Sequence, residues 1–119
     1  MPPDLRRDLQ PDFEVVAEQV FAALADPRRR AILAALAAGG PATATDLAAR
    51  LPITRQAIAK HLALLAEAGL LTAEPGERRR VRYRLQSAPM QVAQQFLAAL
   101  ARDWDSSLGA LTDHLDRRA

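Results

Sequence analysis

Two helix-start signals stand close together in the middle of the chain and narrow what it can build. Thr43-Ala44-Thr45-Asp46 has the spacing of a capping box, in which the Thr43 hydroxyl accepts from the amide three residues on and the Asp46 carboxylate reaches back. It opens a short helix from Ala44 to about Leu51, with Leu47 and Leu51 turned inward. Pro52 lies beyond its end, and Thr54 caps a further helix from Arg55 to Ala68 that Gly69 stops. Ile58, Leu62 and Leu65 share one face of that helix. Two short helices joined by about three residues, the second capped by Thr, make a helix-turn-helix.

The period then changes from 3.6 to 2. Leu70-Leu71-Thr72-Ala73-Glu74 reads as a strand, Pro75-Gly76-Glu77 as a turn, and Arg80-Val81-Arg82-Tyr83-Arg84-Leu85 as a second strand. Val81, Tyr83 and Leu85 point one way and the arginines the other. A helix-turn-helix followed directly by such a hairpin is a winged helix. Upstream, Phe13, Val16, Ala17, Val20, Phe21 and Leu24 form one stripe of a helix that Asp26-Pro27 ends. Pro27 begins the next helix, with Ile32, Leu33 and Leu36 inward and Gly39-Gly40-Pro41 as its break. Downstream, Ser87 caps a long last helix with Pro89 in its first turn. The expected fold is mainly α, about five helices with a two-stranded wing, in one domain over 12–119 behind a loose arm over 1–11.

The last helix carries Val92, Phe96, Leu100, Trp104, Leu108, Leu111 and Leu115 at steps of four and three, a stripe of roughly 35 Å at 1.5 Å per residue. A winged-helix core cannot cover so long a stripe together with that of the first helix. A symmetric dimer through the terminal helices, 12–25 and 88–117, covers both. Its expected contacts are Phe13, Val16, Val20, Phe96, Leu100, Trp104, Leu108, Leu111 and Leu115. The alternative is a last helix folded back on its own subunit.

Charge is unevenly spread. The whole chain is near neutral at +2, yet residues 50–84 hold eight of the 16 basic side chains against three acids. Such a concentration is the footprint expected where a polyanion docks. On the helix after Thr54, Gln56 and Lys60 lie opposite the apolar stripe, flanked by Ala59 and Ala63, whose small side chains let a helix sink into a major groove. Gln56 has the groups to pair with adenine, and Lys60 those to reach guanine or a phosphate. Thr54 and Arg55 stand at the helix start, where free amides favour a phosphate. His61 lies beside the apolar face, where a hydrogen bond within the fold competes with a DNA contact. Arg78, Arg79, Arg80 and Arg82 decorate the wing, suited to backbone phosphates or a narrow minor groove. Arg84 is expected to pair with an acid, as are Arg28, Arg29 and Arg30 with acids such as Asp26.

Cysteine is absent, which removes thiolate catalysis, disulfides and cysteine-ligated metal sites. The two histidines, His61 and His114, fall in different elements, and no glycine-rich phosphate loop follows a strand. No nucleophile, base and orienter assemble, so the expectation is a non-enzyme with no cofactor. The chain shows neither a run of 18 apolar residues nor a cleavable leader, which reads as a cytoplasmic protein.

Four stretches resemble the ArsR/SmtB family of bacterial winged-helix repressors: Leu24-Ala-Asp-Pro-Arg-Arg-Arg-Ala-Ile-Leu33, Ala44-Thr-Asp-Leu-Ala-Ala-Arg-Leu-Pro-Ile-Thr-Arg-Gln-Ala-Ile-Ala-Lys-His-Leu62, Leu65-Ala-Glu-Ala-Gly-Leu-Leu71 and Arg79-Arg-Val-Arg-Tyr-Arg-Leu85. The resemblance spans about 13–115. It implies a homodimer that binds an inverted repeat near its own gene and blocks transcription, with DNA readers over 54–65 and on the wing. The founding members release DNA on binding a metal or metalloid, and there this chain departs. The cysteine-containing motif is replaced by Thr43-Ala44-Thr45-Asp46-Leu47-Ala48. The last helix offers Asp103, Asp105, Asp113, His114 and Asp116, a poor set for zinc. The resemblance is therefore to the non-metal, autoregulatory branch, with an unknown effector. A metal-responsive sensor using the carboxylates and histidine of the last helix, and a winged-helix module that binds an acidic protein, are the competing readings.

Overall fold

The computed structural model describes the backbone over 3–118 and the side chains over 13–117. In chain order the elements are α1 (Pro3–Leu24), α2 (Pro27–Gly39), β1 (Ala42–Thr43), α3 (Ala44–Arg50), α4 (Arg55–Glu67), β2 (Leu71–Pro75), β3 (Val81–Leu85) and α5 (Ala88–Arg118), with a single 3-10 turn at Glu77–Arg79. Five helices and a small antiparallel sheet make a winged helix-turn-helix.

The local signals act as their chemistry requires. Asp26 caps α2 by accepting from the Arg28 amide at 2.8 Å, and Pro27 fills the first turn, where no amide proton is needed. Thr43 accepts from the Asp46 amide at 3.1 Å while Asp46 accepts from the Thr43 amide at 3.1 Å, the complete capping box. Thr54 accepts from the Ala57 amide at 3.2 Å. At the end of α4, Gly69 takes φ 78°, and the Leu70 amide donates back to the Leu65 carbonyl at 3.0 Å. That left-handed step is cheap only for glycine, and it turns the chain into β2.

Two expectations need correction. The loose arm over 1–11 is instead helical from Pro3 onward, with Met1 and Pro2 outside the described residues. The prolines suggested a break, but Pro3 stands at the helix start, and Leu5 and Leu9 continue the spacing of Phe13 by whole steps of four. Second, the sheet has three strands, ordered β1-β3-β2. Ala42 pairs with Tyr83 and Thr43 with Arg82, so the two residues before α3 serve as both strand and cap. A two-residue strand leaves no alternation to read.

One core holds the elements together. Val20 and Ala23 of α1, Ile32, Leu33 and Leu36 of α2, Leu47 of α3, Ile58, Leu62 and Leu65 of α4, Leu70 before β2, Leu71 of β2 and Ala93 of α5 are all buried in it. Each large aliphatic among them contributes roughly 1.5–3 kcal/mol relative to exposure. Val20 is fully buried here, which removes it from any subunit interface; it lies on the inward stripe with Ala17 and Ala23. Phe96 packs on α1 of the same chain, its ring centroid 6.4 Å from Phe13 and 6.0 Å from Phe21. Beyond that contact α5 leaves the core. Leu97, Leu100, Trp104, Leu108, Leu111 and Leu115 are all exposed, Trp104 at 68%. The radius of gyration is 19.7 Å, against about 13–14 Å for a compact chain of this size.

Hydrogen bonds hold two carboxylates below the ordinary value of 3.8: the Arg28 amide does so at Asp26, and the Thr43 amide at Asp46. A depressed folded-state pKa contributes stability above the unfolded value and loses it as pH falls through the folded one. Thermal melts are therefore expected to shift downward as pH drops from 5 toward 3. The double variant Asp26→Asn, Asp46→Asn is expected to flatten that part of the curve, as followed by circular dichroism.

Candidate nucleic-acid interface

The face of α4 opposite its buried stripe is open. Ile58, Leu62 and Leu65 have no exposure at all, which fixes the rotation of the helix and turns Arg55, Gln56, Ala59, Lys60 and Ala63 outward. Thr54 is exposed at the helix start. These five expected reader positions, Thr54, Arg55, Gln56, Ala59 and Lys60, thus share one accessible surface.

His61 does not join them. It is 8% exposed, and its Nδ1 has no hydrogen-bond partner. The reason is helical arithmetic: position 61 is three residues after Ile58 and four before Leu65, inside the apolar stripe rather than beside it. A residue so covered cannot reach a groove, so the expectation of a DNA contact is corrected.

The wing carries its cations outward. Arg78, Arg79, Arg80 and Arg82 are all exposed. Arg82 also donates to the Pro41 carbonyl at 3.4 Å, which ties the wing to the strand before α3. Arg84 pairs with Glu74 across the β2–β3 ladder at 2.6 Å, as expected of it. The oily face of the wing is covered unevenly: Tyr83 and Leu85 are half-buried, whereas Val81 is 44% exposed. At the tip, Arg78 and Arg79 adopt φ 56° and 65°, the left-handed region. Each such residue costs roughly 1–2 kcal/mol when it is not glycine.

The arginines that open α2 have a use that sequence reasoning found only in part. Arg28 and Arg29 meet Asp26, at 3.4 and 3.8 Å. Arg29 also donates to the Ala23 carbonyl at 2.7 Å and the Ala22 carbonyl at 3.0 Å, and Arg30 to the Leu24 carbonyl at 2.6 Å. They close the open carbonyls at the end of α1, where positive charge is favoured by the helix dipole. The signal was present: three cations directly after a helix end that has none of its own.

Among the described residues no three His, Asp or Glu side chains come together as a metal site would require. Among the described residues no helix is long and apolar enough to cross a membrane.

An exposed face with small residues on the second helix of a helix-turn-helix, followed by an arginine-bearing wing, is the arrangement of a winged-helix DNA-binding protein. Comparison with known proteins narrows the class. A family model described as a helix-turn-helix domain matches residues 24–74. The HTH-type transcriptional regulator Rv2034 of Mycobacterium tuberculosis is 40% identical over 88 residues, 74% of this chain and 74% of that protein. Among solved structures, an ArsR-like transcriptional regulator from Rhodococcus sp. RHA1 is 37% identical with a TM-score of 0.75, covering 84% of this chain and 92% of that one. The ArsR family transcriptional regulator RHA00566 is 29% identical with a TM-score of 0.68, covering 78% and 94%. The chain belongs to the ArsR family and is an HTH-type transcriptional regulator.

His61→Ala tests the corrected assignment. Truncating a buried side chain is expected to cost roughly 2–4 kcal/mol of stability. The folded variant is expected to keep the wild-type preference among DNA sequences, measured by denaturant unfolding alongside a binding assay.

Proposed function

We propose that the protein is a repressor that binds an inverted repeat in double-stranded DNA as a homodimer, acting in the bacterial cytoplasm without a cofactor. In this reading α4 enters the major groove, with Gln56 and Lys60 at base edges and Ala59 allowing close approach. Thr54 and Arg55 hold a phosphate at the helix start, and Arg78, Arg79, Arg80 and Arg82 bring the wing to the backbone or minor groove. The observation that carries the reading is the exposure of Thr54, Arg55, Gln56, Ala59 and Lys60 along α4 beside its fully buried stripe, with Arg55 sharing a cleft with Arg79 and Arg80 of the wing.

Dimerisation is supported by the exposed row on α5, where Leu100, Trp104, Leu108, Leu111 and Leu115 stand at 46–68% exposure. A row of that kind is covered economically by the same row from a second copy about a two-fold axis. Phe13, Val16 and Phe96, half-buried within the chain, lie at the near end of that row. Two α4 helices then read half-sites about one turn of DNA, roughly 34 Å, apart.

Footprinting on DNA from around the protein's own gene is expected to protect two symmetric half-sites. Protection no stronger than on scrambled DNA favours the reading as an acidic-protein-binding module instead. Gln56→Ala is expected to relax base preference within the half-site at a cost of roughly 1–3 kcal/mol. Trp104→Glu is expected to weaken self-association by at least about thirtyfold, the size of losing roughly 2 kcal/mol at an interface centre, as measured by sedimentation equilibrium. Calorimetric titration with zinc, nickel or cobalt is expected to give no binding tighter than micromolar; tighter binding favours a metal-responsive sensor.

A further inference from the structure

Glycine and arginine have exchanged their usual places at the wing tip. The loop from Gly76 to Arg80 closes on itself, the Gly76 amide donating to the Arg80 carbonyl at 2.6 Å and the Arg80 amide to the Glu77 carbonyl at 3.1 Å. Gly76 is needed for closeness, since a Cβ there stands 2.7 Å from the Arg80 carbonyl oxygen. The left-handed positions, which glycine fills at least cost, are instead Arg78 and Arg79. Conformational preference is set aside at two successive residues, and in each case for a long cationic side chain.

One of the two has a destination. Arg79 and Arg80 line a cleft of about 240 Å³ together with Arg55 from the start of α4, Thr45 of α3 and Tyr83 of β3, whereas Arg78 stands outside it. Three arginines from two segments, the start of α4 and the wing, therefore line one hollow. Among the described residues none of the three is in an ion pair; those pairs engage Arg28, Arg29 and Arg84. Arg80 interacts by charge with Asp46, whose carboxylate accepts from the Thr43 amide and forms no ion pair with that arginine. Like charges gathered without ion-pair partners repel, and an anion in the cleft offsets that repulsion. Guanidinium forks match the oxygens of a phosphate, and the Thr45 and Tyr83 hydroxyls add neutral donors at the same place.

We infer that this cleft holds one backbone phosphate of the DNA, gripped jointly by Arg55, Arg79 and Arg80, and that the left-handed turn at Arg78-Arg79 is kept because it aims Arg79 into the cleft. The inference rests on the DNA-binding reading and deepens it. Arg55 and Arg79 belong to one contact, although one lies on the reading helix and the other on the wing. The wing is thereby registered against the helix by the DNA itself.

The test uses the full-length protein and a random-sequence duplex of about 30 base pairs, with binding followed by fluorescence anisotropy across a salt series. Neutralising one phosphate contributes about one unit to the slope of log affinity against log salt. Arg79→Gly and Arg55→Ala are each expected to weaken binding about five- to tenfold near 0.15 M salt, and the double variant to lower the slope by about one rather than two. Arg79→Lys is expected to retain most of the slope. The Tm of Arg79→Gly is expected to equal or exceed that of the wild type, because glycine relieves the turn. Single variants that bind as the wild type, a double variant that loses two units, or a Tm that falls in Arg79→Gly each overturn the shared cleft while leaving DNA binding intact. A wild-type protein without salt-dependent binding to the duplex overturns the DNA reading and the cleft with it.

Discussion

The burial of one face of α4 governs everything else the molecule presents. Ile58, Leu62 and Leu65 are sealed against α2, α3 and the start of β2, and a helix has only one rotation that satisfies all three. That rotation decides which side chains meet the outside world. Gln56 and Lys60 owe their accessibility to residues two to nine positions away that never see solvent. Removing any one of those aliphatics loosens the aim of the exposed face as well as the core, since the two are opposite sides of a single cylinder.

Helices α2 and α3 support this arrangement from the sides by different means. The capping box at Thr43 and Asp46 fixes where α3 begins, and β1 ties the same residues to β3, so the wing and the helix-turn-helix share a seam at Ala42-Thr43. At the other end of the domain, Arg29 and Arg30 stitch α2 onto the last carbonyls of α1. Two polar junctions thus frame an aliphatic centre.

The fold was legible wherever a local signal and a periodic pattern agreed. Thr43, Thr54, Asp26 with Pro27, and Gly69 marked boundaries that the structure respects closely, because capping chemistry is decided within four residues. Legibility failed where an outcome depends on partners distant in sequence. The strand at Ala42-Thr43 exists only because Tyr83 and Arg82 offer it a ladder. His61 was misplaced by treating the stripe of α4 as narrower than it is. Val20 was assigned outward because an amphipathic stripe says that a face is covered without saying by what. The left-handed backbone at Arg78-Arg79 had no signal at all, since neither residue is one that turns normally recruit.

The projecting half of α5 has a thermodynamic consequence. Most helical stability in proteins comes from packing of an amphipathic face, and among the described residues the apolar row of this segment is exposed. The run beyond Phe96 contains Gly109 and several serine, threonine and aspartate residues, all weak helix formers. Covering Leu100 to Leu115 would therefore add stability to this part of the helix, so that its order and the arrival of a neighbour are coupled. With a second copy as that neighbour, as proposed, amide exchange along this arm would report the concentration of the chain itself.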